Sequence, residues 1–180
     1  MKVGILPGAF NPVTRAHVEL AKSARQIVDE VIAVIPQAYP HKELHGATID
    51  QRIEMLRAAG AFDRVELTNG GLFIEIAREL RTPESELYFI CGRDAAERIL
   101  TWNYEDPRTV DAMLGEFRLL VASRGGDFEA AAHHRHAVQL LRVQGLDEIS
   151  STEVRRRIQS GEPWEHLVPP SIIDLARTIY

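Results

Sequence analysis

Short apolar, β-branched runs alternate along this chain with longer segments of helical period, and that alternation limits the folds open to it more than any other feature. Val3 to Leu6 closes on Pro7-Gly8, and after Asn11-Pro12 apolar residues recur at Ala16, Leu20, Ala24, Ile27 and Val28, which predicts strand, turn and helix. Val31 to Ile35, followed by Ile49, Ile53, Leu56 and Ala59, repeats the unit. Phe62 to Leu67 reads as a third strand, Leu72 to Leu80 as a helix, Leu87 to Cys91 as a fourth strand and Arg93 to Leu100 as the helix after it. Asp106-Pro107 opens another helix, Phe117 to Ala122 makes a fifth strand, Asp127 to Ala132 a short helix and Ala137 to Val143 a sixth strand. Strands joined by helical crossovers must run parallel. The expectation is therefore an α/β fold, a parallel sheet with helices on both faces that binds ligands at the carboxyl ends of its strands. A length of 180 residues fits one domain, 1–180. Leu167, Ile172, Leu175, Ala176 and Ile179 predict a C-terminal helical segment packed back onto it.

Two helix starts carry chemistry. The first strand runs into Gly8-Ala9-Phe10, and Thr14 and His17 then stand three apart at the opening of the next helix, on one face. Open backbone N–H groups and the helix dipole favour an anion there. Spacing alone equally allows a plain turn with Thr14 as N-cap and His17 in solvent. Near the other end, Ser150-Ser151-Thr152 precede a helix that continues through Arg155, Arg156 and Arg157, offering hydroxyls, N–H donors and guanidinium groups to a polyphosphate. An ordinary cap with a solvated basic face is the other reading of that segment.

Net charge bears on the partners. At −5 the chain lacks the basic excess of a protein that grips nucleic acid, so no nucleic-acid partner is expected. No apolar run approaches the roughly 20 residues of a membrane span, and no membrane association is expected. A lone cysteine, Cys91, inside an apolar run reads as a buried strand residue in a reducing, cytoplasmic protein. His133, His134 and His136 lack a nearby acidic or cysteine ligand set and read as a solvated helix end, so no structural metal is expected. The sequence is compatible with a homo-oligomer without specifying one.

Gly8 to His17 resembles the GxFxPxHxGH or GxFxPxTxGH signature, and Ile149 to Arg155 the ISSTxxR signature, of the HIGH-type nucleotidyltransferases. Within that superfamily Pro40-His41-Lys42, Gln51 to Leu56, Phe89 to Asp94 with Trp102, and Val168-Pro169 look most like bacterial nicotinate-nucleotide adenylyltransferases. Thr14 and Gly71-Leu72 look more like the pantetheine-phosphate branch. The resemblance spans nearly the whole chain and implies a Rossmann-like fold. It implies an enzyme that transfers AMP from ATP to nicotinate mononucleotide with release of pyrophosphate, Mg²⁺ accompanying the ATP. The alternatives are a phosphopantetheine acceptor, another nucleotidyl donor, or a nucleotide-binding protein without turnover.

The resemblance also implies roles. His17, with Thr14 beside it, would meet the phosphates, and Lys42 would supply a cation from the loop after the second strand. Gly8, Ala9, Phe10, Ser150, Ser151, Thr152, Arg155 and Arg124 would line the ATP site. Gly92 would admit the adenosine and Asp94 accept from its ribose, unless Asp94 is only a helix cap. Trp102 would stack on the acceptor or else pack in the core or a lid.

Overall fold

The computed structural model describes residues 1–37, 46–103, 105–106, 109–123, 128–143, 145–146 and 148–180. Six strands form one sheet: β1 (Lys2–Pro7), β2 (Glu30–Pro36), β3 (Arg64–Thr68), β4 (Glu86–Gly92), β5 (Arg118–Ser123) and β6 (Val138–Arg142). Their order is β3-β2-β1-β4-β5-β6 and every pair is parallel. The order reverses between β1 and β4, so the carboxyl ends of those two strands flank the crevice where such sheets bind ligands.

Side chains alternate across the pleat, and both faces are apolar because both are covered. Val31, Ala33 and Ile35 face one way, with Leu6, Tyr88, Ile90, Leu120 and Ala122. This face packs under α1 (Arg15–Ala24), α2 (Ile49–Ala59), α6 (Ser151–Ser160) and α7 (Ile173–Ile179), which bury Leu20, Met55, Leu56, Val154 and Ala176 on it. Ile32 and Val34 face the other way with Val3, Ile5, Phe89, Leu119 and Val121, under α3 (Phe73–Leu80), α4 (Arg93–Thr101) and α5 (Thr109–Glu116). On that side Phe89 stacks on Phe73 at 4.4 Å and meets the edge of Phe117 at 4.9 Å. Full burial of each such side chain contributes about 1.5–3 kcal/mol.

Caps set the helix limits that matter for the site. Thr48 Oγ1 accepts from Gln51 N–H at the start of α2, and Gln51 Oε1 accepts in turn from Thr48 N–H. Ser150 accepts from Glu153 N–H at the start of α6, and Gly161 ends that helix at φ +70.

Three expectations shift. The third strand begins at Arg64 rather than Phe62, whose ring instead packs edge-on to Phe10 at 5.9 Å. Of the described part of the expected short helix, 128–132, no helix forms over 128–131 and Ala132 opens the 3-10 segment that follows. Phe128 and Ala130 are buried while Glu129 and Ala131 are exposed, a period of two that suits extended chain and overrides alanine's helix propensity. The helical turn falls later, as a 3-10 segment at Ala132–Ala137. There His134 is buried, with its Nε2 3.4 Å from Asp111 Oδ1, so the histidine cluster is not simply a solvated end.

Candidate active site

The turn from β1 to α1 is held on all sides. Phe10 adopts φ +47, a left-handed conformation that costs a non-glycine residue about 1–2 kcal/mol. Its ring is buried between Phe62 and the edge of His17, 4.9 Å away. Side-chain donors from two helices hold the turn's carbonyls. Arg52 of α2 donates to Ala9 O at 3.2 Å, Ser151 of α6 donates to Pro12 O at 2.7 Å, and Arg155 of α6 donates to Asn11 O. Ser151 and Arg155 thereby join the two segments that the sequence marked as phosphate sites.

Thr14 is the N-cap of α1 and is fully buried. Its N–H donates to His17 Nδ1 at 3.0 Å, and its Oγ1 lies 2.9 Å from the same nitrogen. An Nδ1 that accepts leaves the proton of the neutral ring on Nε2, which is then the donor. Thr14 is thus in contact with the His17 ring through both its N–H and its hydroxyl. The first intrahelical bond of α1 is Val18 N–H to Thr14 O, so the Arg15 and Ala16 N–H groups have no acceptor within the helix, and no acidic residue in that first turn opposes an anion at its positive end.

Cationic charge collects around this turn. Arg52 is almost fully buried and, among the described residues, donates to the carbonyls of Thr48 and Ala9. Arg155 donates to Asn11 O and to Thr152 Oγ1, so among the described residues neither arginine has a carboxylate partner. Glu153, in the first turn of α6, is engaged elsewhere. Hydrogen bonds first from Arg156 and then from Arg157 hold its carboxyl down to about 2.

Gly8 and Gly92 each lie three residues beyond the paired Ile5 and Phe89, at neighbouring strand ends on either side of the crevice. A Cβ on Gly8 would press on the buried Phe10 ring at 3.3 Å, so a larger residue there would need that ring to shift. Gly92 has an ordinary φ of −80, and a Cβ on it would meet nothing within 4 Å. Neither conformation nor internal packing demands a glycine at that position, and the backbone there is open to close approach. Asp94 is exposed in the first turn of α4, whose N-cap is Gly92, so the reading of Asp94 as the cap does not hold. Trp102 is 63% exposed and belongs to no core. It lines a cleft of about 260 Å³ with Asn103, Asp111, His133 and His134. Lys42 and Arg124 lie outside the described residues.

A larger cleft, about 680 Å³, runs along α1 against Val168, Pro169 and Pro170, and none of the expected site residues lines it. Cys91 is buried, which pushes its thiol up to about 12 and leaves it inert. Among the described residues no group of three or more His, Cys, Asp or Glu side chains could hold a metal ion, and no helix is long and apolar enough to cross a membrane.

Residues 5–157 match the model of the cytidylyltransferase-like family. The chain belongs to this family. It is 30% identical to a protein of Moorella thermoacetica, over 98% of this chain and 89% of that one, and 33% identical to one of Thermus thermophilus, over 96% and 94%. Both carry the name "probable nicotinate-nucleotide adenylyltransferase". The fold is similar to that of Plasmodium falciparum nicotinic acid mononucleotide adenylyltransferase complexed with NaAD, with a TM-score of 0.72 at 18% identity, over 97% of this chain and 93% of that one.

The site holds three residues to which the sequence reading assigned no role: Asn11, Arg52 and Tyr180. Arg52 falls within the Gln51 to Leu56 stretch that carries part of the resemblance and stands four residues before Leu56 on the apolar stripe of α2. Tyr180 left no such trace, because only the packing of α7 brings it to the turn.

Proposed function

We propose that this chain transfers the adenylyl group of ATP to nicotinate mononucleotide, releasing pyrophosphate and forming the dinucleotide from which NAD is made. The observation that carries this reading is the joining of the α1 and α6 N-termini by Ser151 and Arg155 around a turn whose cations, among the described residues, lack carboxylate partners. Two helix ends and guanidinium groups bonded to neutral oxygens suit a polyphosphate. The choice of acceptor is supported by the names of the relatives.

A phosphate oxygen of the acceptor attacks the α-phosphorus of ATP. The bond from that phosphorus to the bridging oxygen breaks, and its electron pair leaves with pyrophosphate. No protein nucleophile is needed, so the chain's task is to position the reactants and stabilise charge. His17 donates from Nε2 to the phosphate oxygens as charge builds, and Thr14 holds its ring. The Gly8-Ala9-Phe10 turn and the α1 amides cradle the phosphates, while Ser150, Ser151, Thr152 and Arg155 serve the outer ones. Gly92 admits the adenosine, Asp94 accepts from its ribose hydroxyls, and Trp102 stacks on the pyridine ring. Lys42 and Arg124 keep the phosphate-facing roles that the resemblance implies.

The donor set described is cationic and amide-rich, suited to phosphate oxygens rather than to a bare metal ion. Mg²⁺ therefore belongs to the substrate complex, held through ATP, where it would offset phosphate charge. A reducing compartment, the cytoplasm, agrees with an inert buried thiol.

The test is pyrophosphate release from ATP across a panel of phosphorylated acceptors. Nicotinate mononucleotide should give the highest specificity constant. A preference for phosphopantetheine would overturn the acceptor, and no release with any acceptor would overturn the reaction.

A further inference from the structure

Asn11 is 3% exposed and stands where four segments meet. Its main-chain oxygen takes the bond from Arg155 in α6, and its side-chain Oδ1 accepts from Ala47 N–H at 3.1 Å and from the Tyr180 hydroxyl at 2.5 Å. Gly46 lies against the same amide at φ +116, and a Cβ on it would stand 2.8 Å from Oδ1. Three residues after Asn11 comes Thr14, the N-cap whose N–H orients His17. The turn's carbonyls are held by arginine and serine donors, but the Asn11 side chain is held by Ala47 and Tyr180. Tyr180, at the end of α7, reaches it from outside both phosphate segments.

We infer that Tyr180 is a positioning residue for the adenylyl transfer proposed above: its hydroxyl, through Asn11, fixes the β1–α1 turn so that His17 and the α1 N-terminus meet the phosphates in register. The contact suits this role. Burial pushes the Tyr180 hydroxyl well above its ordinary range, so it stays a neutral donor at working pH. Removing it leaves Asn11 Oδ1 with the Ala47 bond, so the buried amide is loosened rather than orphaned. A turn carrying a left-handed Phe10 is a place where a lost constraint becomes displacement. Small displacements in a near-attack geometry cost rate before they cost binding.

The experiment is a kinetic cycle on the full chain with ATP and nicotinate mononucleotide, using Tyr180→Phe, His17→Ala and the pair. Tyr180→Phe should lower kcat about tenfold, the size of one lost neutral hydrogen bond expressed in the transition state. Both Michaelis constants and the melting temperature should stay near wild type. In the His17→Ala background the same change should lower kcat less than about twofold, because its effect runs through the alignment of His17. Wild-type turnover, measured alongside, tests the reaction on which this inference rests. With turnover present, an unaltered kcat in Tyr180→Phe, a loss that tracks only unfolded protein, or full additivity with His17→Ala overturns the assignment of Tyr180 alone.

Discussion

A guanidinium buried without a carboxylate is costly unless something anionic visits it, and the acceptors of the buried Arg52 among the described residues are two carbonyls. That electrostatic demand could be suspected from its place on the apolar stripe of α2, but its target, Ala9 O, could not. Thr14 and His17 were legible as a pair. Their reciprocal geometry was not, since spacing cannot say whether a threonine hydroxyl faces a ligand or the neighbouring ring. Trp102 was left between stacking and packing, and its exposure removes the core option. If it stacks on the pyridine, nicotinate mononucleotide should quench tryptophan emission, and Trp102→Ala should raise the acceptor Michaelis constant about fivefold, near 1 kcal/mol of aromatic contact, with kcat little changed. Trp164, buried at 7% exposure, is the other emitter and should keep its signal in the variant. A Michaelis constant that does not move would place the ring elsewhere.

At the scale of elements, α6 carries the densest set of testable contacts. Ser150 caps it, Ser151 and Arg155 tie it to the first turn, and Glu153 sits in an arginine clamp. Arg155→Ala should weaken ATP and pyrophosphate about 10- to 100-fold and AMP much less, the size of a charge-assisted bond to an outer phosphate. Calorimetry with the three ligands checks this, and equal losses would mean that Arg155 acts by holding Asn11 alone. The clamp has a pH signature. Glu153 titrates near 2 in the folded chain against 4.5 for the free side chain. A folded value below the unfolded one gives stability that is present above about 4.5 and lost as pH falls toward 2. The group is exposed, so the effect is small and screened by salt. Glu153→Gln should melt slightly below wild type at neutral pH, and the gap should close on acidification and in 1 M salt, where the screening length falls to about 3 Å. A gap independent of both would point to the cap rather than the charge. These elements were readable because their polar residues precede an apolar stripe at helical spacing. The short helix expected over Asp127 to Ala132 does not form over 128–131, where the burial of Phe128 and Ala130 outweighs weak local helix propensity.

For the whole molecule, alternation of short apolar runs with helical segments was enough to foresee a parallel sheet covered on both faces. Continuous burial in β2, with Ile32 and Val34 on one side of the sheet and Val31, Ala33 and Ile35 on the other, is the physical form of that signal. Strand order was not foreseeable from the pattern, yet it is the order that places β1 beside β4 and brings Gly8 and Gly92 to one crevice. The joining of residues 11–12 to 151–155 depends on the same topology, with α6 packed on the face that carries α1. Adenylyl transfer at this junction is the central claim, and a single-turnover experiment with excess protein, ATP and nicotinate mononucleotide tests it most directly. Wild type should form dinucleotide and pyrophosphate in equal amounts, while His17→Ala should bind ATP with near-normal affinity and form product on the order of 10² to 10³ times more slowly. Absence of dinucleotide from wild type, or a His17→Ala rate equal to wild type, would contradict the account.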